Sequence, residues 1–105
     1  MLGIELTPEH ELSRLVDLGV RAEDAGYDAV YSTCHYNNRD PWVFLSQLAT
    51  ATDSVRLGPG VANPYETHPA TLASKVATLD ELSGGRAAFG IGPGDPSTLR
   101  NLGLE

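Results

Sequence analysis

The chain has 105 residues and carries 14 acidic against 7 basic side chains, a net charge of −7. That balance repels phosphate backbones and argues against nucleic-acid binding. With 41% hydrophobic and 20% charged residues, no bilayer-length apolar run and no basic-then-apolar leader, it reads as one small cytoplasmic α/β domain. Cys34 is the single cysteine, so no internal disulfide is available. Lys75 is the sole lysine, and an acidic, lysine-poor surface fits a protein that works in high salt.

Four short apolar runs read as strands: Leu2 to Leu6, Ala29 to Thr33, Val55 to Gly58 and Ala87 to Gly92. Each is followed by a proline that suits the first helical position, in Thr7-Pro8, Asp40-Pro41, His68-Pro69 and Asp95-Pro96. The prolines are spaced by 33, 28 and 27 residues, the length of a strand plus a helix. The first helix carries an apolar stripe of Leu12, Leu15, Val16, Gly19 and Ala22. Val43, Phe44, Leu48 and Ala51 mark the second, and Leu72, Val76, Leu79 and Leu82 the third. Gly26 and Gly84-Gly85 predict left-handed helix ends. The order is four βα units with a parallel sheet, the last helix reading as truncated between Pro96 and Glu105. A closed (β/α)8 barrel takes about 250 residues, so residues 1–105 read as the first half of one, strands 1–4.

The least regular stretch is Leu57-Gly58-Pro59-Gly60-Val61-Ala62-Asn63-Pro64, at the end of the third strand. Glycine and proline there remove side chains and a donor, which suits backbone that approaches a bound group. Glu5 lies between Ile4 and Leu6 on the first strand, where a carboxylate inside a barrel is costly without a role or a partner. The alternative for Glu5 is a strand-end position in solvent. Cys34 and His35 close the second strand, and alternation predicts that they point to opposite sides rather than forming a dyad. Cys34 also fits a small buried filler, and His35 a loop hydrogen bond. Gly90-Ile91-Gly92-Pro93-Gly94-Asp95 lacks the third glycine of a dinucleotide fingerprint and puts a capping Asp95 in its place. It reads as a barrel strand and turn. Asp80 and Arg86 predict a salt bridge or a cap at the third helix's end. His10, His35 and His68 are too scattered for a metal site.

The runs Gly3-Ile4-Glu5, Thr33-Cys34-His35-Tyr36-Asn37-Asn38, Leu57 to Pro64, Ala77 to Arg86 and Gly90 to Asp95 occur in that order. With them the chain resembles the coenzyme F420-dependent methylenetetrahydromethanopterin reductases of the bacterial-luciferase-like superfamily, over the N-terminal third of such an enzyme. The resemblance implies a (β/α)8 barrel that binds the deazaflavin of F420 and transfers hydride to a tetrahydropterin of methanopterin or folate type. It implies a bulge with a non-prolyl cis peptide at Gly60-Val61 behind the ring. It further implies Glu5 beside the pterin, and Cys34, His35, Gly60, Val61, Asn63 and Gly92 on the cofactor side. Cys34 stands where the family usually has aspartate. A homo-oligomer is implied for the whole enzyme. Two other readings remain open: an FMN-dependent luciferase-like monooxygenase, and a non-catalytic half-barrel that assembles with another chain.

Overall fold

Three strands and four helices form in the computed structural model, which describes residues 1–104. In order they are β1 (Gly3–Leu6), α1 (Leu12–Asp24), β2 (Ala29–Ser32), α2 (Pro41–Ala51), β3 (Arg56–Pro59), α3 (Pro69–Ser83) and α4 (Pro96–Asn101). The sheet is parallel in the order β1-β2-β3, with Glu5 beside Tyr31 and Tyr31 beside Gly58. Side chains alternate across it. Ile4, Val30 and Leu57 therefore share the helix-covered face, and Glu5, Tyr31 and Gly58 share the other. Leu15, Val30, Phe44, Leu45, Leu48 and Leu57 are fully buried and form the centre of the core between sheet and helices.

Helix starts that depend on local chemistry lie where the sequence places them. Asp40 accepts from Val43 N–H, His68 Nδ1 from Ala70 N–H and Asp95 from Ser97 N–H, each with proline next. The first helix differs. It begins at Leu12 with Glu11 at the cap, not at Thr7-Pro8. Pro8 is instead fully buried, and its carbonyl accepts from Arg39 N–H at 3.1 Å while Arg39 Nη1 bonds Glu9 O. A tertiary contact thus holds Thr7-Pro8 in a turn. On α2 the core face is Phe44, Leu45, Leu48 and Ala49, leaving Val43 and Ala51 exposed; Leu82 is exposed on α3. Gly26, Gly84 and Gly85 take positive φ, as expected of helix ends. The last helix, α4, spans Pro96–Asn101, and Gly103 beyond it has a φ of 73°.

The predicted fourth strand is present only as two isolated parallel bridges, Leu57 to Ala87 and Ala62 to Ile91. Pro59 supplies no N–H, so the ladder loses a bond there. Gly90 N–H still reaches Pro59 O, and Ala62 N–H reaches Gly90 O. From Pro59 to Ala62 is three steps, opposite two from Phe89 to Ile91. This is a β-bulge. Leu2 ahead of β1 and Phe89 and Ile91 in the fourth segment are exposed.

Two side chains fasten helix ends to the sheet. Arg86 donates to Ser83 O, Ala49 O, Thr52 O, Val55 O and Thr52 Oγ1, all within 2.7–3.0 Å. The expected Asp80–Arg86 pair does not form; Asp80 accepts from Ala87 N–H instead. Glu23, at the end of α1, accepts from the N–H groups of Asp53, Ser54 and Val55. Partial burial disfavours its charge, but the bonds from Ser54, Val55 and Asp53 outweigh that and hold its carboxyl below the ordinary 4.5. A depressed folded pKa stabilises above the unfolded value and is lost as pH falls through the folded one. Glu23→Gln should therefore lower stability near neutral pH by about 1 kcal/mol. The gap to the parent should close as pH falls below 4.5. Urea midpoints measured across that range check it; a gap independent of pH would contradict it.

Candidate functional site

The carboxyl ends of the strands converge on a cleft of ≈ 160 Å³. Glu5 comes from β1, Thr33, Cys34 and His35 from the loop after β2, and Gly60, Val61 and Asn63 from the bulge after β3. Glu66 and Asp95 add carboxylates to its rim. Six of the seven residues singled out in the sequence thus meet in one place. Glu5 lies on the open face of the sheet rather than in the core. Glu5 is exposed there, on the face opposite Ile4 and Leu6.

Gly92 does not line this cleft. A Cβ built on Gly92 would lie 3.1 Å from Val61 Cγ2, and one on Gly90 would lie 3.0 Å from Val61 Cγ1. Both glycines make room for Val61, so their effect on the site is indirect. The Gly60–Val61 peptide bond is cis. Asn63 is 7% exposed, and both ends of its amide are used: Nδ2 donates to Pro93 O at 3.0 Å and Oδ1 accepts from Tyr65 N–H at 2.8 Å. It ties the bulge to the fourth segment and shapes the cleft wall.

Cys34 and His35 both lie beyond β2. β2 ends at Ser32, so alternation no longer governs them, and both line this cleft and a neighbouring one of ≈ 280 Å³. The second cleft runs between the loops after β2 and β3. It is walled by Trp42, Asp40, Glu66 and Lys75, with Lys75 Nζ 5.7 Å from the Trp42 ring centroid. Burial, then the charges of Glu66 and Asp40, push the Cys34 thiol up to about 12 against the pull of Lys75. Cys34 is therefore a neutral thiol at physiological pH and a poor nucleophile or metal ligand. Among the described residues no cluster of His, Cys, Asp and Glu could hold a metal ion. At the rim, the Ser97 hydroxyl and N–H hold the Asp95 carboxyl below its usual range. That agrees with a helix cap rather than a phosphate site.

Three residues were not evident from the sequence pattern. Tyr31 lies beneath the cleft, its ring between β1 and β3: a Cβ on Gly3 would sit 3.3 Å from its Cε2, and one on Gly60 3.2 Å from its Cβ. Glu66 lies on the loop leading to α3 and borders both clefts. Thr33 is 8% exposed, and its Oγ1 has no hydrogen-bond partner among the described residues. Glu66 carries no local sequence signal. Period-two alternation from Glu5's partner Tyr31 would have placed Thr33 on the same face.

The model of the luciferase-like monooxygenase family matches residues 2–104. The chain belongs to that family. Within the family it is similar to 5,10-methylenetetrahydromethanopterin reductase of Archaeoglobus fulgidus, at 47% identity over 97% of this chain and 31% of that protein. The structure of the coenzyme F420-dependent tetrahydromethanopterin reductase from Methanopyrus kandleri superposes with a TM-score of 0.95 at 43% identity, over 99% of this chain and 30% of that one. A structure from Pseudomonas putida, the oxygenating constituent of 3,6-diketocamphane monooxygenase in complex with FMN, superposes with a TM-score of 0.86. At 21% identity, over 99% of this chain and 33% of that one, it shares the fold alone. The resemblance carried by the motif runs is borne out. The chain spans about a third of the length of these relatives.

Proposed function

We propose that the chain is the N-terminal half of a (β/α)8 barrel in an F420-dependent oxidoreductase that moves hydride between reduced F420 and a methylene-tetrahydropterin. The observation that carries this reading is the cleft itself. Glu5, His35, Gly60 and Val61 come together at the carboxyl ends of the strands, where barrels of this kind place their chemistry. The identity to 5,10-methylenetetrahydromethanopterin reductase over nearly the whole chain supports a tetrahydropterin as the substrate class. The residues present fit a planar heterocycle. The bulge offers the 41%-exposed Val61 as an apolar surface, and Thr33, which lines the same cleft, has a buried hydroxyl without a partner among the described residues. F420 would supply the hydride when bound.

In this reading Gly60 and Val61 support the ring, with His35 beside it and Asn63 and Gly92 holding the bulge in shape. Glu5 places a negative charge beside the cation that develops as the methylene carbon prepares to accept hydride, and so lowers the barrier electrostatically. The whole enzyme is read as a cytoplasmic homo-oligomer acting on a small-molecule pterin. For an FMN-dependent monooxygenase the support is weaker: the FMN-bound neighbour is 21% identical, against 47% for the reductase.

The test is oxidation of reduced F420 by the protein that carries this chain, with methylene-tetrahydromethanopterin and methylene-tetrahydrofolate compared as acceptors. Turnover with either supports the reading, and the faster one names the pterin. Spectral changes with FMN and none with F420 would overturn it. Glu5→Gln should lower kcat about 10- to 100-fold. Because Glu5 is exposed, the melting temperature should hardly move. Steady-state kinetics beside a thermal melt check both.

A further inference from the structure

We propose that Thr33 is a ligand-contacting residue, whose hydroxyl hydrogen-bonds the cyclic-amide edge of a heterocycle held between Glu5 and the Gly60–Val61 bulge. The inference rests on the reading that this cleft holds a planar ring. Thr33 N–H extends the β1–β2 ladder by one bond, to Leu6 O at 3.1 Å. Thr33 therefore keeps the alternation of β2 and faces the same way as Tyr31, and as Glu5 across the ladder. It lines the cleft together with Glu5, Gly60 and Val61.

Its environment is the unusual part. Buried hydroxyls are almost always bonded, and the other buried side chains near the site obey that rule. Ser32 Oγ donates to Thr33 O, and both ends of the Asn63 amide are used. Thr33 Oγ1 is the one buried side-chain polar atom without a partner among the described residues. A hydroxyl so placed costs free energy until something bonds it. The cleft is the side from which a partner can come, and a turn about χ1 exchanges the positions of the threonine methyl and hydroxyl. A deazaflavin and a pterin both present a ring edge of carbonyl and N–H groups, which a hydroxyl can serve as donor or acceptor. Either source supplies the same chemistry, and separate titrations tell them apart.

The experiment compares Thr33→Val and Thr33→Ser with the parent in the protein that carries this chain. Unfolding is measured without ligand, affinity is measured for F420, and KM is measured for the methylene-tetrahydropterin. Valine removes the orphan hydroxyl at nearly constant shape, so the unliganded protein should be as stable as the parent or more so. Affinity for one of the two heterocycles should fall about 10-fold, while serine stays within about 3-fold of the parent. A fall in F420 affinity assigns the contact to the deazaflavin, and a rise in pterin KM assigns it to the substrate. Unchanged binding of both by the valine variant overturns the proposal. So does a marked loss of unliganded stability, because it would give the hydroxyl a structural task. If the parent binds neither heterocycle, the three proteins are titrated with FMN. Weaker FMN binding by the valine variant then upholds Thr33 while the reductase reading fails. Equal or absent FMN binding overturns both.

Discussion

Gly58→Ala is expected to cost about 4 kcal/mol or more and to leave little native protein in mild denaturant. A Cβ at this position would lie 1.6 Å from Ala88 O and 2.7 Å from Ala88 C. These are backbone atoms, so no side-chain rotation relieves the overlap. The segment from Arg86 to Gly92 would have to leave β3, breaking the bonds that join it to Leu57, Pro59 and Ala62. That segment also backs Val61, so the cleft would open with it. Gly26→Ala is the control. Its φ of 95° is strained for alanine, but nothing lies within 4 Å of the added carbon. It should cost only about 1 kcal/mol. Urea unfolding of the two variants checks the contrast, and equal costs would show that the fourth segment yields easily.

Arg86→Ala is expected to cost about 3 to 4 kcal/mol. Ala49, Thr52 and Val55 are all nearly fully buried, and their carbonyls take bonds from the guanidinium. The Ala49 carbonyl belongs to the last turn of α2, which has no further helical N–H to meet it. A cation there also opposes the negative end of the helix dipole. Alanine would leave several acceptors buried and unmet. Arg86→Lys should recover only a minor part, because an ammonium cannot fork between the Ala49 carbonyl on α2 and those of Thr52 and Val55 ahead of β3. Denaturation midpoints for the pair test this, and a cost below about 1 kcal/mol for alanine would mean that water replaces the guanidinium.

Elements set by local chemistry were legible in the sequence. Asp40, His68 and Asp95 cap their helices with their own side chains, and the glycines at 26, 84 and 85 turn the chain wherever the helix ends. The start of α1 was not legible, because Pro8 is held by Arg39, a residue 31 positions away. Nor was the interruption of the fourth strand, since apolar alternation in 87–92 does not reveal that its neighbour lacks a donor at Pro59. At the site, Glu5 and Gly60 stood out because each breaks the expectation for a strand, whereas Val61 entered only through the family resemblance. Thr33 is an ordinary strand residue, and what marks it is the absence of a partner among the described residues, visible only after folding. Cys34 and His35 both border the clefts, on a loop that starts one residue sooner than the apolar run suggests.

The bulge after β3 acts as a reading-frame shift in the alternation of inside and outside. Pro59 and Ala62 are both buried although they are three residues apart, and the consecutive residues Gly60 and Val61 both line the cleft. In a regular strand, Val61 would have shared the buried face with Leu57 and Pro59. One extra residue moves a valine that simple alternation assigns to the core onto the wall of the site, while the chain beyond resumes pairing through Ala62. Removing a residue between Pro59 and Ala62 would therefore be felt as a change of phase: the strand would close up, and the apolar wall of the cleft would turn inward.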